Sequence, residues 1–394
     1  MSISMTSRQR MITALRNKQP DRIPVAPDIS NMIPSRLTGK PFWDVYFNEN
    51  PPLWQAYINA VRHFGIDGWF IYGDIQYKSK HTVETENIIE KQFDRWIARK
   101  IHHTPEGDLT STSVCMKGDP PTTTEKMIKN FRDDFHKFKY IFAEAISYDP
   151  CKFNEQKEML GELGIMGVCI CTPGLHIFSE FFEGSVEAAT YAMIDYPDLF
   201  EELVAIYDKL CLQLVDMAID AGTDSILTGG SGSITLQSPQ LWRQFSLPTL
   251  KKITKRCKEA GVISGVHSCG RERYLVEVCA NETDLDYINP LEIPPMGDCD
   301  LAECKHLFGK KLALMGNLQT TDVMLRGSAN DVKRESLKAI LAAGEHGGFV
   351  LSTGDQCGRD TPDENLFIMV KTVQEFGQYP LNHHRIVDEI CSLQ

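Results

Sequence analysis

The chain has 394 residues, 42% of them hydrophobic, which is enough for a sizeable core and excludes a disordered chain. Lysine and arginine number 41 against 53 aspartates and glutamates, and the net charge of −12 disfavours general binding to nucleic acid or to an anionic membrane. No apolar run approaches the roughly 18 to 20 residues of a spanning helix, and the N-terminus has no apolar signal core, so the expected location is cytoplasmic.

In chain order, residues 6–17 read as a short helix, with Thr6 or Ser7 as N-cap and Met11, Ile12 and Leu15 as its apolar stripe, stopped by Gln19-Pro20-Asp21-Arg22. A strand follows at 23–25. A polar, Pro-containing loop runs to about Trp43, followed by a helix near 52–64 and the strand Gly68-Trp69-Phe70-Ile71-Tyr72, beyond which stands Asp74. From 78 to 122, alternating polar and β-branched residues, the Pro105-Glu106-Gly107-Asp108 turn and Thr110-Ser111-Thr112-Ser113-Val114 predict an antiparallel β-hairpin inserted into the main fold. Beyond 160, strand-like runs at 165–170, 224–228, 262–266, 285–288, 312–315 and 348–352 alternate with amphipathic segments near 186–220, 239–259, 271–281, 300–308, 330–344 and 362–376. Such alternation means βαβ units. With the two N-terminal strands the count reaches about eight, which predicts a single α/β domain over 1–394, a (β/α)8 TIM-type barrel with its site at the C-terminal strand ends. No Gly-x-Gly-x-x-Gly follows any strand, which disfavours an open doubly wound sheet.

Reading those strand ends collects Asp74, His176, the stretch 229–233, His267 with Cys269, Glu292, Asn317, and Asp355 with Cys357. Zinc prefers nitrogen and sulfur ligands, and a catalytic site keeps three protein ligands and one open position, so His267, Cys269 and Cys357 are the expected metal ligands. Asp355 is expected beside them, orienting His267. Asp74, Glu292 and Asp355 are the candidate catalytic carboxylates, and His176 and Asn317 the candidates for cofactor contact. The glycines at 229–233 read as a place where a substrate approaches the backbone. The segment 176–182 reads either as an aromatic wall for a substrate or as a helix packing face. The remaining cysteines, many in apolar stretches, read as reduced core thiols rather than a disulfide framework.

The opening Ser7-Arg8-Gln9-Arg10-Met11, Pro20-Asp21-Arg22-Ile23-Pro24-Val25, the run from Ser238-Pro239 to His267-Ser268-Cys269-Gly270, Gly316-Asn317-Leu318 and Thr361-Pro362-Asp363-Glu364-Asn365 together resemble the uroporphyrinogen decarboxylase superfamily. Within it the chain is most similar to the zinc-dependent, corrinoid-linked methyltransferases. The resemblance implies a TIM-type barrel, zinc, and a corrinoid (cobalamin) carried by a partner protein, since this chain shows no Asp-x-His-x-x-Gly motif of its own. True decarboxylases carry an Arg-Gln-Ala-Gly-Arg type segment after the first strand; here that region reads Asp28-Ile29-Ser30-Asn31-Met32-Ile33-Pro34-Ser35-Arg36. In the methyltransferase branch the third ligand is a cysteine in the register that Asp355 occupies here, with Cys357 two residues later. Register thus favours Asp355 and metal softness favours Cys357, which is the residue expected to bind. The function implied is methyl transfer between a small molecule and corrinoid cobalt, with an O-demethylase acting on a methoxylated compound preferred over a thiol methyltransferase. The rivals are a metal-free decarboxylase using Asp74 or Asp28 as proton donor, and a non-catalytic partner-binding barrel. A homodimer is left open.

Overall fold

The computed structural model describes residues 4–81 and 83–393. Seven parallel strands form one sheet in the order Gly68–Phe70, Gly164–Cys169, Ser225–Gly229, Ile263–His267, Tyr287–Asn289, Ala313–Leu318 and Phe349–Thr353. Residues 23–26 close the ring. Val25 bridges Leu351 in parallel, Ala26 N–H donates to Leu351 O at 2.9 Å, and Asp67 N–H donates to Val25 O at 2.8 Å. This eighth stave makes only isolated bridges because Pro24 has no N–H to donate and Val25 gives its own to the Asp67 side chain. The fold is the expected (β/α)8 barrel.

Two of the expected long helices are broken, each at a proline. The 186–220 segment splits into Ser185–Asp195 and Pro197–Asp220, and the 239–259 segment into Pro239–Phe245 and Leu247–Ala260, with Pro248 in the first turn of the latter. Proline is tolerated in a first turn, where its missing N–H has no partner to lose.

Inside the ring, Trp69, Ile165, Leu227, Ile263, Tyr287, Ala313, Met315 and Val350 pack together, and Trp69 Nε1–H donates to Tyr287 Oη at 3.0 Å. Met11, Ala14 and Leu15 of the helix Ser7–Leu15 join this cluster and seal the N-terminal end of the barrel. The same helix is fixed by charge. Arg10 Nη1 lies 2.6 Å from Asp67 Oδ1, and Arg22 Nη1 lies 3.0 Å from Asp67 Oδ2, with the Asp67 carboxylate fully buried. Asp67→Asn should therefore destabilise the chain by about 3 kcal/mol, because it leaves the buried Arg10 and the partly buried Arg22 short of a counter-charge. Chemical denaturation of the variant checks this, and a loss below about 1 kcal/mol would show that Asp21 alone neutralises Arg10.

The 78–122 region is larger than a hairpin. Its strands Glu84–Lys91, Arg95–Thr104, Gly107–Met116 and Thr122–Glu125 form a four-stranded antiparallel sheet, and Gln76–Ser79 pairs with Ala145–Asp149 in a second, two-stranded one. The additional strand 122–125 is nearly all threonine, with no alternation of apolar and polar residues to announce it.

Candidate metal centre

The parallel register decides which side chains meet. His267 ends its strand between Gly229 on one neighbour and Asn289 on the other. Gly229 and Gly230 both have positive φ, and a Cβ on Gly229 would sit 2.7 Å from His267 O. Gly230 N–H donates to that same carbonyl at 2.9 Å. Gly229 thus admits the protein's own chain around His267, while Gly230 and Ser231 of the same stretch line the cavity described next.

His267, Cys269 and Asp355 converge. One ligand atom from each lies within 4.8 Å of the others, and His267 Nε2 is 3.4 Å from Cys269 Sγ. They line a cavity of about 350 Å³ together with Asp28, Ser30, Trp69, Cys169, Cys171, Thr228, Ser231 and Gln356, and among the described residues no lysine or arginine lines it. A volume near the lower end of ligand pockets suits a small molecule. Burial pushes the Cys269 thiol up to about 12, with the carboxylates of Asp355 and Glu292 adding to the effect. Burial likewise raises Asp28, with Asp355 adding and His267 opposing, and it raises Glu292. Asp28, Cys269 and Asp355 therefore share the pocket wall with no lysine or arginine among the described residues, the electrostatic setting that a bound metal ion reverses.

The donors fit zinc. Nitrogen, sulfur and carboxylate oxygen are its usual ligands, and three of them leave one position open. The surroundings fit as well. Asn289 Nδ2 lies 3.2 Å from His267 Nδ1, while Asn289 Oδ1 is buried without a partner. Rotating this amide by 180°, which leaves its shape unchanged, sets Oδ1 to accept from Nδ1–H and frees the Nε2 lone pair toward Cys269.

The structure brings Asp355, and not the expected Cys357, within reach of His267 and Cys269. Cys357 is fully buried, its N–H donates to Asp28 O at 2.8 Å, and its thiol faces Thr353 and Thr361. The reason is the turn after the strand Phe349–Thr353. Thr353 Oγ1 donates to Asp355 O at 2.7 Å and so pins the backbone between the two residues.

The other expected residues are dispersed. Asp74 is paired with Lys152 at 3.0 Å in a neighbouring depression that shares only Ile71 and Cys169 with the cavity. His176 is buried, bonded to Gln237 Nε2 at 2.9 Å and Gly229 O at 3.3 Å, and burial lowers it to about 4, so it is a neutral structural residue behind Gly230. Asn317 lines a separate cavity of about 520 Å³ with Leu318 and Gln319, and its Nδ2 donates to Leu291 O at 3.1 Å. Glu292 stands closer to the centre, accepting from the N–H of Gly270 beside Cys269. Phe178 and Phe182 pack into a cluster with Phe131, Phe138, Phe142 and Phe200, so the 176–182 segment is a packing face and not a substrate wall. Asp28 is the main addition to the metal trio, and its position just past the first strand was a usable signal.

Glu272 holds the Glu292 loop. It is fully buried, its Oε2 accepts from Leu291 N–H at 2.7 Å, its Oε1 has no partner, and burial raises its carboxyl well above the ordinary range. A carboxyl whose folded pKa exceeds its unfolded one stabilises least at high pH: stability falls as pH rises past the unfolded value near 4.5, by up to about 1.4 kcal/mol per pH unit. Glu272→Gln should flatten that decline. Parallel stability curves for the two proteins between about pH 5 and 8 would show instead that Glu272 is ionised in the fold.

An eight-stranded α/β barrel with a nitrogen, sulfur and oxygen donor trio at its C-terminal rim describes the architecture and its site. The chain belongs to the uroporphyrinogen decarboxylase (URO-D) family, whose model matches residues 157–376, more than half of its length. The methylcobamide:CoM methyltransferase MtaA of Methanosarcina barkeri is 27% identical over 193 residues, covering 49% of this chain and 53% of that protein. The uroporphyrinogen decarboxylase of Azoarcus sp. (strain BH72) is 25% identical over 190 residues, covering 46% and 49%. The chain thus aligns with about half the length of these curated relatives. A solved structure of a methyltransferase from Methanosarcina mazei superposes with a TM-score of 0.63 at 18% identity, covering 94% of this chain and 99% of that one, a likeness of fold.

Proposed function

We propose that this protein is a methyltransferase that moves a methyl group between a small molecule and the cobalt of a corrinoid carried by a partner protein, using zinc held by His267, Cys269 and Asp355. The observation that supports this most is the donor trio in the wall of a small cavity without a lysine or arginine. The similarity to the methylcobamide:CoM methyltransferase supports the reaction class. Bound there, zinc would supply Lewis acidity to an oxygen or sulfur atom of the substrate. Asp355 in place of a second thiolate makes the ligand set harder, which favours an ether oxygen over a thiol and a methoxylated compound as methyl donor. Asn289 fixes the His267 ring, and Glu292 fixes the loop carrying Cys269 through Gly270 N–H. Asp28, buried beside the trio and kept toward its protonated form, is placed to give a proton to a leaving oxygen.

The raised carboxyl of Asp28 also supports the decarboxylase reading, in which it protonates a carbanion. The acidic cavity wall counts against that reading, because a substrate rich in carboxylates finds no lysine or arginine there. Elemental analysis of the purified protein, followed by the absorbance change of a corrinoid protein with methoxylated aromatics or thiols as partners, separates the readings. One zinc per chain and methylation of cobalt from the ether are expected. Metal-free protein that releases carbon dioxide from a carboxylated substrate would overturn the proposal.

A further inference from the structure

Two thiols of the same cavity take no part in the metal trio. Cys169 and Cys171 leave the C-terminal end of the strand Gly164–Cys169, both line the cavity, and neither is buried. The strand Ser225–Gly229 lies between theirs and that of His267, so two strand spacings, roughly 10 Å, separate this pair from the trio. That is too far to share one ion.

The backbone holds the pair open. Ile170 N–H donates to Leu227 O at 2.8 Å and Thr172 N–H to Gly229 O at 3.0 Å, so the ladder keeps the segment extended through both cysteines. Extended residues two apart have Cα atoms about 6.6 Å apart, at the upper limit of about 6.8 Å for a disulfide. Residues two apart on an extended segment face the same way, so both side chains point to the cavity they line. Cys211 Sγ donates to Cys171 O at 3.1 Å, which steadies the backbone just after Cys171. Such a pair is better spaced to be bridged by an intervening atom than to close on itself.

We propose that Cys169 and Cys171 form a second binding site in this cavity, a dithiol that chelates a soft, thiophilic centre of the trivalent arsenic class. With phenylarsine oxide as the probe, two arsenic–sulfur bonds form, the arsenic–oxygen bond breaks, and the oxygen leaves as water with the two thiol protons. Arsenic stays trivalent, so no oxidant or reductant is needed. The occupied site would narrow the cavity opposite His267. The inference does not rest on zinc or on methyl transfer, and its test does not use either.

The test treats the folded, full-length protein with one equivalent of phenylarsine oxide, washes it with a monothiol, and measures intact mass and the modified peptide. The expected result is a gain of one phenylarsine oxide less one water, mapped to Cys169 and Cys171 and removed by a 1,2-dithiol. Cys169→Ser and Cys171→Ser should each lose the adduct at the monothiol wash and keep the wild-type circular dichroism spectrum. Cys269→Ala should retain it. An adduct that survives in both serine variants, or that maps to the buried pair Cys299 and Cys304, would overturn the proposal. So would a loss of two hydrogens at Cys169 and Cys171 under a low-molecular-weight disulfide, since that makes the pair a redox couple and not a chelate.

Discussion

Under the proposed function, Cys269→Ala and His267→Ala should each weaken zinc binding by more than about 100-fold in affinity and abolish methyl transfer with it. The magnitude follows from a comparison: removing an outer partner of a metal ligand costs roughly 10- to 100-fold in affinity, and removing the ligand itself costs more. Asn289→Ala, which deletes the group that fixes the His267 ring, should accordingly fall in that lower range. None of the three changes should melt the barrel, because the trio lies at the rim and the packed interior is built from Trp69, Ile165, Leu227, Tyr287 and their neighbours. Equilibrium dialysis against zinc, with thermal denaturation beside it, measures both halves. A Cys269→Ala protein that keeps full zinc and full activity rules out the site.

Asp355→Asn should abolish metal binding, whereas Cys357→Ser should leave the metal in place and lower stability by about 1 to 3 kcal/mol. The first change removes a ligand charge within 4.8 Å of the other two donor atoms. The second exchanges one small polar group for another in a fully buried position facing Thr353 and Thr361, outside the group of three converging donor atoms. The pair is decisive because the two residues lie on one short turn, so any general disturbance of that turn affects both variants alike. Loss of zinc in Cys357→Ser and its retention in Asp355→Asn would mean that the loop rearranges to present the thiol, and softness would then outweigh register in choosing the ligand.

Much of the barrel could be read from the chain because its signals are local. A buried parallel strand is a short apolar run, and each run from 165 onward appears as a strand within a few residues of its expected place. His267 and Cys269 were legible for the same reason: they follow the clearest of those runs, and in a barrel the residues at the C-terminal strand ends share one rim. Even the first stave, which forms no regular strand, was marked by Ile23, Val25 and the polar residues around them.

Whatever depended on the direction of a side chain after its strand ended was settled only in three dimensions. Asp74 and His176 stand beyond the ends of their strands, and one pairs with Lys152 while the other is buried behind Gly230. Beyond the last ladder hydrogen bond the alternation of faces no longer applies, and hydrogen bonds made by residues distant in sequence set the path. The choice of Asp355 over Cys357 shows this most directly: spacing places both within reach, and the bonds from Thr353 Oγ1 to Asp355 O and from Cys357 N–H to Asp28 O decide between them. The sequence by itself determined the barrel and the rim at which His267 and Cys269 stand. The approach of Asp355 to them and the company of Asp28, Cys169 and Cys171 in one cavity came from the closure of the ring, which brings the first and last staves together across more than 300 residues.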